Sequence, residues 1–593
     1  MKTLFALVLS LGLLAVAASA APAITNITNA ASFSLSPLPN SSIAQGSFFA
    51  IFGSGLGSPT SGCGANLTDC IWKPYPLPTT IKGATVNISA GGTNHAAYLY
   101  FAIDSQINAV VPSDVPTGSA QVTVTYNGGT SAPVTVTIVA SSFGTFALNQ
   151  GGTGPGIITD AKYAVLTPTH TAKPGDAVIL WGTGLGASPD VANEANSGPC
   201  PTGCDFRSGS FGVNVFVGNQ PAKVDYAGRA PGYTAEDEIV FEVPAGVQGC
   251  YVNVAVQAGP TGSQVVSNFT SMTVDPAGGA CSDADGINMS DLVSAISSKG
   301  KASVGVVSML SNYLSLNLLG TPLQWDNDTL NGEIGTFSTT VLNEFQGFTL
   351  APSVNNCTVS PFQGFPPPSD PALASVTYLD TGASIGISGP NGSKTVTKNS
   401  NGKGYGTGNP IGGSSISDLL SGGGGPPYFL NSSFAIVPGT YTITSPGGTD
   451  VGAISGQIPV SQNAANFKWT NQTDVTKNPI PRNQPLTITW TGGDSNGFVN
   501  ITAIGSTTNS LVPSSTTPGV LVECMAPASA GTFTVPTFVL QSLPSTASSS
   551  SPVAGEILVG PSSGAVKLGT VPSGLDAAYA FYHFIQGAGV VWQ

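Results

Sequence analysis

Two similar stretches of sequence decide the fold of the first half of the chain. The first reads Gly46-Ser-Phe-Phe-Ala-Ile-Phe-Gly-Ser-Gly-Leu-Gly57. The second begins about 130 residues later and reads Gly175-Asp-Ala-Val-Ile-Leu-Trp-Gly-Thr-Gly-Leu-Gly186. In each stretch an apolar run, long enough for one buried strand, is closed by a glycine-rich turn. A repeat at this spacing predicts duplicated domains rather than one large fold.

The elements after each glycine turn recur in the same order. An apolar segment ending in Val-Pro spans residues 107–112 in the first copy and 239–244 in the second. Further strands follow at residues 121–126 and 250–256. In the first copy a partner strand at 134–139, joined across an Asn-Gly-Gly turn, predicts a hairpin. We therefore expect both copies to be β-sandwiches of one type.

The composition favours strands over helices throughout the chain. Only 8% of the 593 residues are charged, against about 25% in ordinary domains, while hydrophobic residues reach 41%. The polar surface must therefore consist mainly of Ser, Thr, Asn, Gln and Gly, and the chain also holds 75 Gly and 46 Pro. These residues form strands and turns more readily than helices. We expect an all-β protein.

The charge argues against two classes of partner. The net charge is −13 and no cluster of Lys or Arg occurs, whereas nucleic acids and anionic membranes attract basic surfaces. We expect neither partner. The chain has only 30 Asp and Glu, and acid unfolding mostly comes from carboxylates that the native state needs ionised. The sequence therefore also predicts tolerance of low pH.

The first twenty residues have the pattern of a cleavable signal peptide. Lys2 gives a positive start, residues 4–16 are apolar, and Ala18-Ser-Ala20 offers a small-residue cleavage site. The apolar segment is short for a membrane anchor, and no later stretch is apolar enough to span a bilayer. We expect an exported protein, secreted or associated with the cell surface.

Eight cysteines in an exported chain predict four disulfides. Two pairs would close small surface loops, a third would brace the end of the second repeat, and the fourth joins the two that remain. The pairs are Cys63 with Cys70, Cys200 with Cys204, Cys250 with Cys281, and Cys357 with Cys524. The alternative for the Cys200–Cys204 segment, a metal or redox site, lacks a second pair of ligands and a nearby His.

Three segments carry a family resemblance. Ile27-Thr-Asn-Ala-Ala-Ser-Phe33, Ile51-Phe-Gly-Ser-Gly-Leu56 and Tyr226-Ala-Gly-Arg-Ala-Pro-Gly232 resemble repeated IPT/TIG-like domains in uncharacterised secreted proteins of acidobacteria. The resemblance covers about residues 24–280 and implies immunoglobulin-like sandwiches. It supplies no catalytic residues. The first copy has no counterpart of Tyr226–Gly232, so the resemblance does not imply one binding edge shared by both copies.

We therefore predict a signal peptide at residues 1–20 and four regions. These are two immunoglobulin-like domains at 21–140 and 141–281, a β-rich domain at 282–465 and a C-terminal sandwich at 466–593. The third region should contain a short helix at 290–296 and a mobile Gly-rich loop at 421–427. In the fourth, strands at 486–490 and 498–502 flank Gly492-Gly-Asp494, which is the pattern of a hairpin.

The sharpest candidate for catalysis is Asp380, in the segment Tyr378-Leu-Asp-Thr-Gly-Ala-Ser384. The segment is similar to the Asp-Thr-Gly turn of aspartic proteases, in which two carboxylates share one proton. This chain lacks a second such turn, and it lacks the downstream segments by which dimeric enzymes support the first. A strand that ends in a turn explains the same residues.

Two further motifs are incomplete. Gly560-Pro-Ser-Ser-Gly564 matches the nucleophile elbow of serine hydrolases, but no α/β pattern surrounds it. The stretch from Asp283 to Leu292 is similar to a calcium loop, but placing Gly286 at the obligatory glycine position leaves two ligand positions wrong. A chance match explains the serine motif, and acidic residues at the start of a helix explain the calcium-like stretch.

The His and Trp residues give weak signals. His95, His170 and His583 show no ligand spacing. Three tryptophans, Trp181, Trp469 and Trp490, lie in apolar strand patterns and are predicted to be core residues, whereas Trp72, in a Pro-rich loop, is a possible contact residue.

The sequence predicts an exported, modular β protein with no catalytic residues, cofactor or metal, acting as a binding or scaffolding module. Its partner would be an extracellular protein or a polysaccharide. Two alternatives stay open: a carbohydrate-binding accessory protein that uses Trp72, and a secreted aspartic-type protease centred on Asp380.

Overall fold

The chain folds into several packed β-sheets. A computed structural model describes residues 21–72, 74–196, 204–207, 209–283, 289–318, 321–344, 352–364, 375–406, 410–413, 436–510, 514, 516–551 and 554–593. Strands account for 47% of the structure and helices for 9%, so the expected all-β class is confirmed. The predicted signal peptide and the loop at 421–427 lie outside the described residues.

The first region is a sandwich of two sheets, in the orders β1-β3-β7-β6 and β2-β10-β8-β4-β5, with β9 paired to β8. Inward residues such as Ile51, Ile88 and Val122 are fully buried between the sheets. The predicted hairpin is present as β8 and β10, and Asn127 at its turn has φ +49. The strands are β1 Ala23–Asn29, β2 Ile43–Ala44, β3 Phe48–Ser54, β4 Thr85–Ala90, β5 Thr93–Ala96, β6 Tyr98–Ala102, β7 Gln106–Val110, β8 Gly118–Tyr126, β9 Gly129–Thr130 and β10 Val134–Val139.

The second region repeats this plan. The repeated motif forms β3 in the first copy and β13 in the second, and the Val-Pro segments form the antiparallel neighbours β7 and β16. Strand β15 pairs with β14 at its start and with β16 at its end, so it links the two layers. The strands are β11 Gly144–Thr145, β12 Ile158–Asp160, β13 Ala177–Thr183, β14 Phe211–Val217, β15 Gln220–Arg229, β16 Asp237–Glu242, β17 Gly249–Pro260, β18 Val265–Val266 and β19 Thr270–Val274. Both regions are thus immunoglobulin-like sandwiches in tandem.

The remaining strands build a ten-stranded, a four-stranded and a three-stranded sheet. The strands are β20 Lys301–Leu318, β21 Thr321–Ser338, β22 Cys357–Gln363, β23 Thr377–Tyr378, β24 Ser384–Gly389, β25 Gly392–Thr397, β26 Pro410–Gly413, β27 Gly439–Thr444, β28 Ser455–Val460, β29 Lys468–Trp469, β30 Leu486–Thr491, β31 Phe498–Ser506, β32 Pro518–Pro527, β33 Thr532–Val535, β34 Gly555–Ser562, β35 Val566–Lys567 and β36 Ala577–Gly589. The smaller sheets run β25-β24-β27-β28 and β29-β30-β33.

The ten-stranded sheet crosses the boundary expected at residue 466. Its order is β22-β32-β31-β34-β36-β20-β21-β23, with β26 paired to β21 and β35 to β36. In its middle, β20 and β36 are parallel, and Val304–Ser315 pair with Ala577–Ala588. The segments 282–465 and 466–593 therefore share one sheet instead of forming separate sandwiches. Local periodicity cannot reveal a pairing between strands so far apart in sequence.

The hairpin predicted around Gly492 is wrong. Strand β30 pairs with β29 and β33, whereas β31 pairs with β32 and β34 in the ten-stranded sheet. Gly492 and Gly493 have φ of +82° and +89°, a conformation that glycine adopts readily. They turn the chain from one sheet into another.

Helices are short. The helix predicted at 290–296 is present as a 3₁₀ turn followed by α1. In the described part of the chain, no helix has the length and apolar character needed to cross a membrane. The α-helices are α1 Val293–Lys299, α2 Thr339–Glu344, α3 Gln462–Ala465, α4 Gln472–Thr476 and α5 Thr537–Leu540; 3₁₀ turns occupy Thr60–Gly62, Ala65–Cys70, Val191–Asn193, Met289–Asp291 and Ala528–Ala530.

Disulfides join three of the expected pairs: Cys63 with Cys70, Cys250 with Cys281, and Cys357 with Cys524. Cys204 is also disulfide-bonded, while Cys200 lies outside the described residues.

Several carboxyl groups lie in buried surroundings that disfavour their charge. Burial raises the pKa of Glu236 and Glu556 to about 7, that of Glu523 to about 8 and that of Asp283 to about 6. The folded chain therefore binds more protons than the unfolded chain between about pH 4.5 and pH 8. The state that binds more protons is stabilised when the pH falls. The free energy of unfolding therefore increases as the pH is lowered across this window.

We expect the melting temperature to be higher at pH 5 than at pH 8. His583 opposes this trend below pH 6.5, because burial lowers its pKa to about 4. The pKa of Asp380 is lowered to about 2, chiefly by Lys398, so its protonation reduces stability only under stronger acid. Differential scanning calorimetry across pH 4–8 tests the expectation. The variant Glu523→Gln should be more stable than the parent at pH 8 and should have a flatter profile. A melting temperature that falls steeply from pH 7 to pH 4 would show the expectation to be wrong.

Candidate functional site

Strand β13 carries a tryptophan on its outer face. Val178 and Leu180 point into the core, so the period of two places Ile179 and Trp181 on the opposite side. Trp181 is partly exposed, and its Nε1 donates a hydrogen bond of 3.3 Å to Thr159 Oγ1. The prediction that Trp181 is a core residue is therefore wrong, since the apolar run that contains it is buried on one face only.

Trp181 lies at the base of an open groove on the second sandwich. The groove has a volume of about 570 Å³, within the usual range for ligand sites. Strands β12, β13 and β16 and the loops beside them form its walls. Its lining residues are Phe146, Ile157, Thr159, Tyr163, Trp181, Pro231, Tyr233, Glu236 and Glu238. We call this surface the aromatic groove.

Two exposed tyrosines flank Trp181. Tyr163 is 66% exposed and Tyr233 is 50% exposed. The ring centroid of Trp181 lies 6.2 Å from that of Tyr163 and 6.1 Å from that of Tyr233, with interplanar angles of 46° and 76°. The three rings therefore surround a concave space.

The turn after β12 fixes the position of Tyr163. Asp160 Oδ1 accepts hydrogen bonds from the backbone nitrogens of Lys162 and Ala164, at 2.8 and 3.0 Å. Tyr163 itself has φ +64, an uncommon conformation for a residue with a side chain. The turn holds the ring out towards Trp181, although an exposed tyrosine buries little apolar surface there.

Two carboxylates face the same groove. Glu236 precedes β16 and Glu238 lies two residues further on, so the alternation of the strand puts both on one side. Among the described residues, neither side chain makes a hydrogen bond or an ion pair. Partial burial raises the pKa of both, that of Glu236 to about 7. The groove thus combines aromatic faces with unpaired acceptors.

A buried arginine joins the groove to the first sandwich. Arg229, at the end of β15, forms an ion pair with the fully buried Asp237. Its Nη2 donates hydrogen bonds to the carbonyl oxygens of Gly46, at 2.8 Å, and Gly186, at 2.6 Å. These glycines belong to the two copies of the repeated motif. A Cβ on Gly46, whose φ is +66, would lie 2.6 Å from Nη2.

More contacts hold the two sandwiches together. Thr183 Oγ1 accepts from the backbone nitrogen of Phe48 at 2.9 Å and donates to the carbonyl of Ala235 at 2.6 Å. The Glu194 carboxylate accepts from the backbone nitrogen of Ser113 at 3.0 Å. Because these bonds involve buried atoms of both sandwiches, the joint is fixed and the groove wall is held in place.

Aromatic residues continue from the groove onto the first sandwich. Tyr100 occupies a bulge in β6 and is 38% exposed. Burial raises the pKa of Tyr100 and of Tyr75, and the charge of Glu236 adds to both shifts. Trp72, the contact residue suggested by the sequence, is also 38% exposed and donates its backbone N–H to the Tyr100 carbonyl at 2.8 Å. Trp72 therefore lies beside the groove's extension, not in the groove.

Asp380 is an ion-pair residue. Its carboxylate accepts hydrogen bonds of 2.8 Å from Lys398 Nζ and 3.0 Å from the backbone nitrogen of Thr449. These bonds, that from Lys398 above all, lower its pKa to about 2. Asp450 accepts a bond from the backbone nitrogen of Asp380, not from its carboxyl group. Aspartic proteases instead share a proton between two carboxyls, so this arrangement does not favour the protease interpretation.

The serine motif has no exposed nucleophile. Ser562 is buried at the end of β34, and its hydroxyl accepts a hydrogen bond from Gly564 N at 3.3 Å. His583 on the neighbouring strand has its Nδ1 2.9 Å from Asn500 Nδ2. Burial lowers the pKa of this His to about 4.

The carboxylates at the ends of the calcium-like segment have partners within the protein. Asp283 accepts from Cys250 N at 2.9 Å and from Ser353 Oγ at 2.7 Å. Asp291 accepts from Tyr579 OH at 3.0 Å and from Lys567 at 2.8 Å. Residues 284–288 between them lie outside the description. Within the described ranges no three His, Cys, Asp or Glu side chains are grouped as a metal site would need.

The other singled-out residues have structural partners. His95 pairs with Asp114 and His170 with Asp160, each near the surface. Trp469 and Trp490 are buried, as predicted.

Sequence reasoning missed four groove residues, Tyr163, Tyr233, Glu236 and Glu238. One signal was available for the glutamates: Glu236-Asp-Glu238 is a run of three acids in a chain that holds only 30. No comparable signal marks the tyrosines, because separate loops bring them to Trp181.

Comparison with known proteins does not assign the chain to a family. No family model and no curated protein matches the chain. Among solved structures, it is similar to titin domains I67–I69, at 10% identity over 71% of this chain and 94% of that one, with a TM-score of 0.12. It is also similar to domains 5–6 of the S-layer protein SbsC, at 14% identity over 43% of this chain and 98% of that one, with a TM-score of 0.14. TM-scores this low establish no shared arrangement, so the fold class follows from the strands themselves.

Proposed function

We propose that this chain is an exported, non-catalytic binding protein that holds an extracellular polysaccharide in the aromatic groove. The observation that carries the proposal is the grouping of three partly exposed rings and two unpaired carboxylates around one concave surface. Aromatic rings pack against the apolar C–H faces of sugars, and carboxylates accept hydrogen bonds from sugar hydroxyls. This corresponds to the carbohydrate-binding alternative, with Trp181 in the role expected of Trp72.

Export is supported by the signal-peptide pattern of residues 1–20 and by the disulfides, which persist in oxidising compartments. The resemblance of residues 24–280 to IPT/TIG-like domains of acidobacterial secreted proteins points to the same location. We further propose that the module at 141–281 presents the groove, that the module at 21–140 braces it, and that residues from 282 onward form a supporting unit. Phe216 of the second module stacks on Phe538 of that unit, with ring centroids 4.0 Å apart.

Trp181→Ala is expected to weaken polysaccharide binding by roughly thirty-fold, because a central aromatic contact is often worth about 2 kcal/mol. The measurement is retention on insoluble cellulose, chitin, chitosan and xylan, followed by calorimetry with soluble oligomers of whichever is bound. Tyr233→Ala should act in the same direction. Val571→Ala, which changes an exposed apolar residue outside the groove lining, is the matched control.

Equal binding by parent and Trp181→Ala, or no retention on any polysaccharide, would overturn the proposal. Release of new reducing ends during incubation would instead contradict its non-catalytic part, because it would assign hydrolysis to Glu236 or Glu238. Circular dichroism of each variant verifies that the sandwich is intact.

A further inference from the structure

The groove has a negative charge that no neighbouring residue neutralises. Glu236 and Glu238 both face it, and neither has an ion-pair partner among the described residues. The two basic residues of the adjacent strand β15 are already engaged: Arg229 with Asp237, and Lys223 with Asp225 and Glu242. A ligand that enters the groove therefore lies next to two carboxylates that have no cationic partner in the described part of the protein.

The three rings favour a compact group over a flat one. A platform for several sugar units in a row would need rings that are nearly coplanar, whereas the planes of Tyr163 and Tyr233 are inclined to Trp181 by 46° and 76°, so a sugar unit stacks on one ring at a time. Rings inclined in this way around one concave surface suit a compact group that contacts all three better than a flat one. Such an arrangement attracts an ammonium group, and Trp is the strongest partner of this kind.

We propose that the groove binds a cationic ammonium group, held among Tyr163, Trp181 and Tyr233 and neutralised by Glu236 and Glu238. The inference rests on the proposed function, and it narrows the ligand to a polysaccharide of amino sugars with free amines. Burial, together with the negative charge of Asp237, raises the pKa of Glu236 to about 7, and an ammonium group bound beside it would favour its ionised form. The net charge of −13 further favours a cationic chain over an acidic one.

The first experiment tests whether binding depends on the positive charge of the ligand. Choline, whose charge does not depend on pH, is compared with 3,3-dimethylbutan-1-ol, its uncharged analogue of the same shape, by calorimetry on the full chain. We expect choline to bind at least tenfold more tightly than the alcohol. The double variant Glu236→Gln/Glu238→Gln should lose this preference, and Trp181→Ala should lose binding of both.

The control variant is Glu242→Gln. Glu242 lies on the same strand β16 but pairs with Lys223 and does not line the groove. Its replacement should leave the preference for choline unchanged.

The second experiment compares oligomers of glucosamine, N-acetylglucosamine and glucose of equal length. The glucosamine oligomer should bind at least tenfold more tightly than the other two, and the double Gln variant should reduce this ratio to below about threefold. If all three oligomers bind equally and choline does not bind, the cation inference is wrong while the polysaccharide function stands. If choline binds and no oligomer does, the cation site stands and the polysaccharide function is wrong. If nothing binds, both are overturned.

Discussion

Replacing Arg229 with Met should destabilise the junction of the two sandwiches by about 3–5 kcal/mol, because the change leaves Asp237 as an unpaired buried charge. It also removes the donors to the Gly46 and Gly186 carbonyls, which tie the two repeated turns together. Measured by urea unfolding, the first transition should move to lower urea. Limited proteolysis should cut the parent slowly and the variant rapidly near residue 140.

Two further variants test whether the loss of stability comes from the buried ion pair. The double variant Arg229→Met/Asp237→Asn should be less destabilised than Arg229→Met alone, since no full charge is left buried. Arg207→Met removes an ion pair with Asp205 in which both side chains are more than a third exposed, and should cost at most about 1 kcal/mol. An Arg229→Met protein as stable as Arg207→Met would show that the arginine does not hold the joint.

Removal of the Cys357–Cys524 disulfide should have the other large effect. The bond joins register partners on β22 and β32 and closes a loop with a sequence separation of 167. Chain entropy alone predicts a loss of about 5 kcal/mol for a loop of this length, against about 2.5 kcal/mol for the short loop closed by Cys63 and Cys70.

Cys357→Ala/Cys524→Ala is compared with Cys63→Ala/Cys70→Ala by urea unfolding under tryptophan fluorescence. Trp469, Trp490 and Trp592 lie in the same core as the long-range disulfide, so they report its unfolding directly. We expect the midpoint of this signal to fall in the first variant and to stay constant in the second. Equal shifts in both would contradict the dependence on loop length.

The sequence predicted what local patterns encode. The glycine-turn repeat identified β3 and β13 with their partners β7 and β16, because a buried strand and its turn occupy adjacent residues. It did not predict the parallel pairing of β20 with β36, since neither strand's own pattern specifies a partner so distant.

The groove was not predicted, for the same reason. Trp181 was noticed but assigned to the core, although Val178 and Leu180 already fill the inward positions of its strand. Tyr163 and Tyr233 come from different turns, and their meeting at Trp181 depends on the tertiary fold. Arg229 appeared in the sequence only as part of a resemblance, and its role in joining both glycine turns required coordinates.

The central position of β36 has a consequence for biogenesis. About 240 residues separate the end of β21 from the start of β36, yet β36 fills the slot between β34 and β20. Until β36 is in place, the edges of β34 and β20 stay unpaired, and unpaired strand edges can pair with strands from other molecules. A nascent chain interrupted before residue 577 would therefore be prone to aggregation, and a chaperone that shields these edges during secretion would have its greatest effect in that interval.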